Sequence, residues 1–256
     1  MKTLLSVFDY SGVWSKPFYE NGWEVIQWDT KIDPLLDVMA FEDCEQTLEL
    51  LEGDYYDIQG IIAAPPCTDL AVSGAQYWKE KDLNGKTAIA VAIVNQIQKL
   101  ADLFLPTDPE YFDENPEATF FWSLENPVGR IGELTGLDNP YYFNPYEFAG
   151  WLGPGKTELE ALAEIRMKNG YGVTELENKF VLAMNAYTKK TGLWGQFNRD
   201  MIKKPVPPVR TAPSGSPIQR LGGKSDKTKE QRSNTPEGFA LAFYEANKNY
   251  QAEYLG

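Results

Sequence analysis

The apolar positions of this chain change period as it runs, and the changes mark its elements. Residues 4–8 form a short apolar run of β type, closed by the turn Asp9-Tyr10-Ser11-Gly12. Ser15-Lys16-Pro17 opens a helix, since proline is favoured in a first turn, and Asn21-Gly22 ends it. Residues 23–28 read as a second strand, ending at Asp29. Strand, turn, helix, strand and terminal acid in that order predict a βαβ opening. A helix is predicted over 43–52 and a strand over 58–64. A long helix is predicted over 87–104, where Ala88, Val91, Ala92, Ile93, Ile97, Leu100, Ala101 and Phe104 supply the apolar positions. Residues 120–124 form another strand, ending in Glu125-Asn126-Pro127. The last helix is predicted over 236–247, with Thr235 as N-cap and Pro236 at its first position.

Three of these apolar strands end in a polar signature: Asp9 to Gly12, Pro66-Cys67 and Glu125-Asn126. In a parallel sheet such ends converge on one edge, where ligands of α/β folds bind. Three regions follow. Residues 1–149 read as a catalytic and cofactor-binding core. Residues 150–186, with a Gly-Pro-Gly turn and a charged helix over 158–168, read as an inserted subdomain. Residues 187–256 read as a basic segment followed by the helix that closes the core. Within that segment, residues 204–223 are rich in proline and glycine and are expected to be extended or mobile.

The chemistry available is narrow, because the 256 residues include no histidine. Any acid or base must be a carboxylate, a lysine, a tyrosine or water. The run Ile61-Ile62-Ala63-Ala64 stops at Pro65-Pro66, and the next residue is a thiol, Cys67. A cysteine just past a strand end is placed for chemistry. The other cysteine, Cys44, has acidic neighbours that disfavour a thiolate and reads as structural. Glu125 follows Phe-Phe-Trp-Ser-Leu, and a carboxyl in an apolar cleft has a raised pKa, so it can donate a proton to a ring nitrogen. Asp29, at the end of the second strand, stands where a ribose-binding acid would, and Trp28 could stack on a purine.

Net charge is −13. It is unevenly spread. Between Tyr187 and Arg232 stand eleven cations, among them Lys189, Lys190, Arg210 and Arg220, against three carboxylates. A basic segment on an acidic body is the footprint of a protein that binds polyanions, although a solvated loop that balances the body reads equally well from charge alone. No apolar run reaches the length of a membrane span. Asp9 interrupts the opening apolar stretch too early for a secretory leader. Two cysteines make no disulfide framework, so a cytoplasmic protein is expected.

Taken in order, the motifs resemble the cytosine-C5 DNA methyltransferases, in particular short phage-type members. Phe8-Asp9-Tyr10-Ser11-Gly12 resembles the first motif, which binds S-adenosylmethionine. Gln27-Trp28-Asp29 resembles the second-strand motif, and Asp37-Val38 the acidic motif near the adenine. Pro65-Pro66-Cys67 with Ser73-Gly74 resembles the nucleophile motif, and Glu125-Asn126-Pro127-Val128 the Glu-Asn-Val motif. Residues 187–194 stand where the family has an arginine-bearing strand, and Arg232 to Pro236 where its last motif closes the cofactor site. The first loop lacks the family's second glycine, lysines replace the arginines, and only a short stretch separates Trp194 from Arg232.

The resemblance implies a Rossmann-like class I S-adenosylmethionine-dependent methyltransferase fold: an α/β protein with a mixed, mostly parallel sheet, helices on both faces, a small insert and a reduced target-recognition region. It implies Cys67, Glu125 and Lys190 as catalytic residues. Phe8, Asp9, Gly12, Trp28, Asp29, Asp37, Pro66 and Asn234 would hold S-adenosylmethionine or a carboxylated analogue of it. Ser73, Asn126, Pro127, Lys189, Arg210, Arg220 and Arg232 would meet double-stranded DNA containing cytosine. No metal and no membrane are expected. Three alternatives remain at this stage: a carboxymethyl donor, suggested by a cation at Arg232; the same chemistry on RNA or a free nucleotide; and a non-catalytic nucleic-acid binder. A nicotinamide-dependent reductase fits poorly with a single glycine in the first loop.

Overall fold

The computed structural model describes residues 1–34, 36–39, 58–106, 110–153, 185–208 and 233–252. Among them six strands form one sheet: β1 (Thr3–Val7), β2 (Glu24–Trp28), β3 (Ile58–Ala63), β4 (Trp122–Pro127), β5 (Tyr141–Phe143) and β6 (Thr191–Gln196). The sheet order is β2-β1-β3-β4-β6-β5. The first four strands are parallel, and β6 runs antiparallel to both β4 and β5. The chain is thus a mixed α/β protein with a mostly parallel sheet.

Every described residue of β1 and β3 is buried, as expected of strands covered on both faces. Successive side chains leave such a strand in opposite directions. Leu5 and Ile61 accordingly join one core, with Ala90, Val94, Ile97 and Leu100 of helix α3 (Lys86–Phe104). Leu4 and Ile62 join the other. There they meet Phe18 of α1 (Lys16–Glu20) and Phe239 and Phe243 of α6 (Glu237–Asn247). The second core is built on rings: Phe143 stacks on Phe239 at 4.2 Å between centroids, and Trp14 meets Phe243 edge-on at 5.3 Å. Full burial of each such ring contributes about 1.5–3 kcal/mol, so α6 is held to the sheet chiefly by apolar contact.

Three short α-helices, α2 (Trp78–Leu83), α4 (Tyr111–Glu114) and α5 (Ile131–Thr135), and the 3-10 turns Val72–Tyr77, Pro145–Glu147 and Ala149–Leu152 also form among the described residues. One expectation is corrected at the last helix. Its N-cap is Pro236, and no side chain caps it; Thr235 lies one residue earlier, buried. The first turn is instead fixed by the Gly238 amide, which donates to Asn185 Oδ1 at 3.0 Å. The helix predicted over 43–52, Cys44 and most of the inserted subdomain lie outside the described residues, as do Arg210, Arg220 and Arg232.

The connections decide where a ligand can sit. From β1 the chain crosses to β2 on one side, whereas β3 and β4 lie on the other. The order therefore reverses between β1 and β3, and the crevice beyond the carboxyl ends of these two strands is where doubly wound sheets bind ligands.

Candidate active site

At the end of β1 the backbone turns sharply. Phe8 has φ +59°, a left-handed value that is unusual for a bulky residue and that marks strain held in place by its surroundings. Asp9 does the holding. The Ser15 amide and hydroxyl donate to Asp9 Oδ2 at 3.0 and 2.9 Å, and Ser6 Oγ donates to it at 3.1 Å. Gln27 Nε2 donates to the Asp9 carbonyl at 2.8 Å. Burial pushes the Asp9 carboxyl up, and the hydrogen bonds from Ser15 and Ser6 oppose that shift. The carboxylate expected at a cofactor is thus spent inside its own loop, where it fixes the turn that ends at Gly12.

The neighbouring strand end contributes Trp28 and Asp29. Trp28 is 2% exposed and belongs to the core, so it offers little face to a purine; its indole N–H is buried with no hydrogen-bond partner. Asp29 Oδ1 accepts from the Lys31 amide at 2.8 Å. Asp37 lies half-buried and accepts from the Met39 amide at 3.0 Å. Asn234 is half-buried beside the start of α6.

Pro65 is buried, Pro66 is exposed and Cys67 is half-buried, with no disulfide. The Cys67 carbonyl accepts the amides of Leu70 and Ala71, so the thiol rides on a tight turn. Beside it, Ala63 of β3 is in register with Leu124 of β4. The parallel register therefore delivers Cys67 and Glu125 to the ends of adjacent strands. Three further ties bind the cysteine turn to β4 and to the chain just past it. Asn126 Nδ2 donates to the Pro65 carbonyl at 3.2 Å, fully buried. The Val72 amide donates to the Val128 carbonyl at 2.8 Å, and the Arg130 amide to the Leu70 carbonyl at 3.1 Å. This approach needs glycine at position 129, where a Cβ would stand 2.0 Å from the Leu70 carbonyl oxygen.

Glu125 is 4% exposed, and its Oε1 is buried with no hydrogen-bond partner. Burial pushes its carboxyl up; the Lys189 ammonium and a hydrogen bond from Thr191 pull it down. Lys189 Nζ lies 4.0 Å from Glu125 Oε1. Tyr187, also buried, has its phenol pushed further up, by burial first and by the Glu125 charge second. Lys190, expected as the catalytic lysine, is exposed, and its ammonium lies 4.5 Å from the centre of the Tyr142 ring. Neighbouring residues of extended chain point to opposite sides, so only one of two adjacent lysines can face Glu125, and it is Lys189. Tyr187 and Thr191 share that side and were not anticipated; their spacing of two residues from Lys189 was the available signal.

The chain beyond Cys67 is latched. Arg130 donates to both Asp82 oxygens, from Nη1 to Oδ2 at 2.9 Å and from Nη2 to Oδ1 at 2.5 Å. Arg130 Nη2 also donates to Thr87 Oγ1, and the guanidinium lies over the Trp78 ring at 4.7 Å. The Arg130 pair holds the Asp82 carboxyl down to about 2. Lys81 bonds the Thr68 carbonyl and pairs with Asp69 at 3.0 Å. Ser73 sits exposed in the 3-10 turn Val72–Tyr77 that this latch frames. Pro127 pairs with Thr191 across β4 and β6.

No family model matches the chain, and no curated protein does. One of the solved structures it resembles is described as a candidate DNA modification methyltransferase encoded within an E. coli prophage. That likeness has 11% identity and a TM-score of 0.31, and it covers 76% of this chain and 46% of the other. The chain thus spans less than half the length of that protein. At such distance only this chain's own geometry bears on its chemistry. Among the described residues no helix is long and apolar enough to cross a membrane, and no cluster of three or more histidine, cysteine or acidic residues is arranged to hold a metal.

Proposed function

We propose that this chain is a DNA-modifying methyltransferase that adds a one-carbon group to carbon 5 of cytosine, on a Rossmann-like class I fold, through a transient bond to Cys67. The observation that carries the reading is the buried Glu125 carboxyl, its Oε1 free of any hydrogen bond with only the Lys189 ammonium 4.0 Å away, set by strand register at the end of β4 beside the Cys67 turn. Burial pushes the Glu125 carboxyl up and so favours the protonated form, which can donate a hydrogen bond, and a flipped pyrimidine offers ring nitrogen 3 to receive it.

The residues of the switch-point crevice fit S-adenosylmethionine. Phe8 and Gly12 shape the first turn, Asp29 keeps a carboxylate at the end of β2, and Trp28 holds an orphaned indole N–H at the same strand end. Asp37, Pro66 and Asn234 would complete the enclosure, and Asp9 would act through the loop it fixes. When bound, S-adenosylmethionine supplies an electrophilic methyl group.

The chain's own residues do the rest. The Cys67 thiolate forms a bond to ring carbon 6, which makes carbon 5 nucleophilic. Glu125 donates to ring nitrogen 3 and so compensates the charge that develops there. Lys189, with its Nζ 4.0 Å from Glu125 Oε1, positions that carboxyl, and Asn126 locks the Pro65-Pro66 backbone that presents the thiol. After carbon 5 is substituted it loses its proton to water, and the Cys67–carbon 6 bond breaks to restore the ring. A cytosine in duplex DNA must leave the stack first, at a cost of a few kcal/mol.

Incubation with S-adenosylmethionine and a duplex containing 5-fluorocytosine tests this directly, because fluorine on carbon 5 blocks the final elimination. A covalent complex mapped by peptide mass spectrometry to Cys67, and absent from C67S, is the expected result. Absence of any adduct refutes the reading. Nucleoside mass spectrometry of ordinary treated DNA then identifies the added group as methyl or carboxymethyl.

A further inference from the structure

A thiol that must act as a thiolate needs either a base to take its proton or fixed charge to favour the anion. The chain has no histidine for the first task. The Cys67 turn works against the second, because it carries its own carboxylate, Asp69, two residues past the thiol. An anion so close disfavours a thiolate. The answering charge is Lys81 of α2. Its ammonium pairs with Asp69 Oδ1 at 3.0 Å and donates to the Thr68 carbonyl. A surface lysine ordinarily carries its ammonium out into water. This one is folded under the turn, with 13% of its side chain exposed and 23% of that of Asp69. Gly74 closes over the same ammonium: a Cβ there would stand 3.3 Å from Lys81 Nζ and 3.0 Å from the Thr68 carbonyl oxygen.

The other charges around the turn are matched among themselves. Arg130, on the chain past β4, holds Asp82 of α2, and its charge is further favoured by Glu133 and Asp69. Glu125 of β4 has the Lys189 ammonium, from the chain entering β6, 4.0 Å from its Oε1. Asp69 is thus the carboxylate nearest to Cys67 along the chain, and Lys81 is the cation in contact with it. Thr68 is joined directly to Cys67, so an ammonium bonded to the Thr68 carbonyl lies within about 12 Å of the thiol by bond lengths alone. At that range, in a partly enclosed site, a single charge is felt.

We propose that Lys81 is a positioning residue for Cys67: it pins the turn at Thr68 and cancels the Asp69 charge, so that the thiolate forms near neutral pH without a histidine. The thiol proton leaves to water. The inference rests on the reading of Cys67 as the nucleophile. It has a consequence that a purely structural pair lacks. Lys81 and Asp69 share one contact, yet they act on the thiol in opposite directions, because one charge favours the anion and the other opposes it.

Alkylation of the full chain by iodoacetamide, followed at the Cys67 peptide by mass spectrometry from pH 6 to 10, reads the thiolate with no DNA or donor present. K81M should move the midpoint up and D69N should move it down, each by about 0.3–1 pH unit, which is about 2–10-fold in thiolate below the midpoint. K81R, which keeps the charge, should hold the native midpoint. D69N leaves the ammonium on the Thr68 carbonyl, so it tests the charge even where K81M fails to fold. An unchanged midpoint in D69N, or midpoints that move the same way in D69N and K81M, overturns the proposal. Adduct formation with the 5-fluorocytosine duplex at pH 7 should slow in K81M by the factor seen in alkylation, and a native adduct rate in K81M also overturns it. Opposite midpoint shifts in a chain whose native form makes no adduct overturn the proposed function and uphold the charge balance at the thiol.

Discussion

Lys189→Met is the sharpest perturbation this structure offers, because it keeps the side-chain volume and removes one charge 4.0 Å from a buried carboxylate oxygen. At that distance, with an effective dielectric of about 20, the pair is worth roughly 4 kcal/mol. An opposite charge this close lowers a carboxyl pKa by about 1–3 units, and each unit corresponds to about 1.4 kcal/mol. Glu125 is already pushed above its ordinary value by burial, with Lys189 restraining the rise. Without Lys189 the carboxyl rises further. The sign follows from linkage: a carboxyl raised in the folded state contributes stability at low pH and loses it as pH climbs through the folded pKa. Below the native Glu125 pKa both proteins keep the group neutral, and their melting curves differ only by packing. Above it the variant falls behind by up to about 1.4 kcal/mol per pH unit, levelling at roughly 1.4–4 kcal/mol. For a chain of this size that is a melting temperature lower by about 3–15 °C on the alkaline side. Differential scanning calorimetry of both proteins from acid to alkaline pH measures it. A melting offset that is the same at every pH would mean that Lys189 acts by packing alone and that the charge argument is wrong. If activity requires the protonated carboxyl, the alkaline limb of the rate profile should move to higher pH in the same variant.

Gly129→Ala places a methyl group 2.0 Å from the Leu70 carbonyl oxygen; urea denaturation should show a loss of about 1–3 kcal/mol or more from overpacking, and adduct formation should fall because the Cys67 turn is displaced from β4. Asn126→Ala removes the donor that satisfies the buried Pro65 carbonyl and should cost about 1–3 kcal/mol by the same assay, whereas an unchanged midpoint would mean that water replaces the amide. Asp82→Asn breaks the charged latch on Arg130. Because the native carboxyl titrates near 2, hydrogen exchange at the Val72 amide should be constant for the native protein from pH 5 to 8, after correction for intrinsic rates, and faster throughout that range in the variant. Equal protection in the two proteins would dismiss the latch.

β1 and β3 were legible because buried strands of a parallel sheet read as apolar runs, β2 and β4 because short apolar stretches mark them although Glu24, Gln27 and Ser123 interrupt, and α3 because its apolar spacing is helical. β5 was not: three residues carry too little periodicity to register, and their place at the sheet edge is set by pairing with β6. Cys67 and Glu125 could be singled out because each ends an apolar run in a residue type that is costly to leave there without purpose. The choice between Lys189 and Lys190 could not be made from composition, since either is a lysine at the same place in the chain; the direction of the backbone entering β6 chose. Asp9 shows the reverse case. Its position marked it as a cofactor ligand, and the folded loop uses its carboxylate to pin Ser6 and Ser15. The latch of Arg130, Asp82, Thr87 and Trp78 was invisible, because Arg130 is distant in sequence from the other three and all four are ordinary in type.

By itself the amino-acid order determined the alternation of strand and helix, the absence of histidine chemistry, and the pairing of a thiol with a carboxyl as the chemical resource, because those follow from residue type and local spacing. Only the tertiary structure decided which lysine faces the carboxyl and which acid is consumed by its own loop. Those outcomes depend on burial and on contacts between residues distant in sequence, and neither quantity exists until the chain has closed on itself.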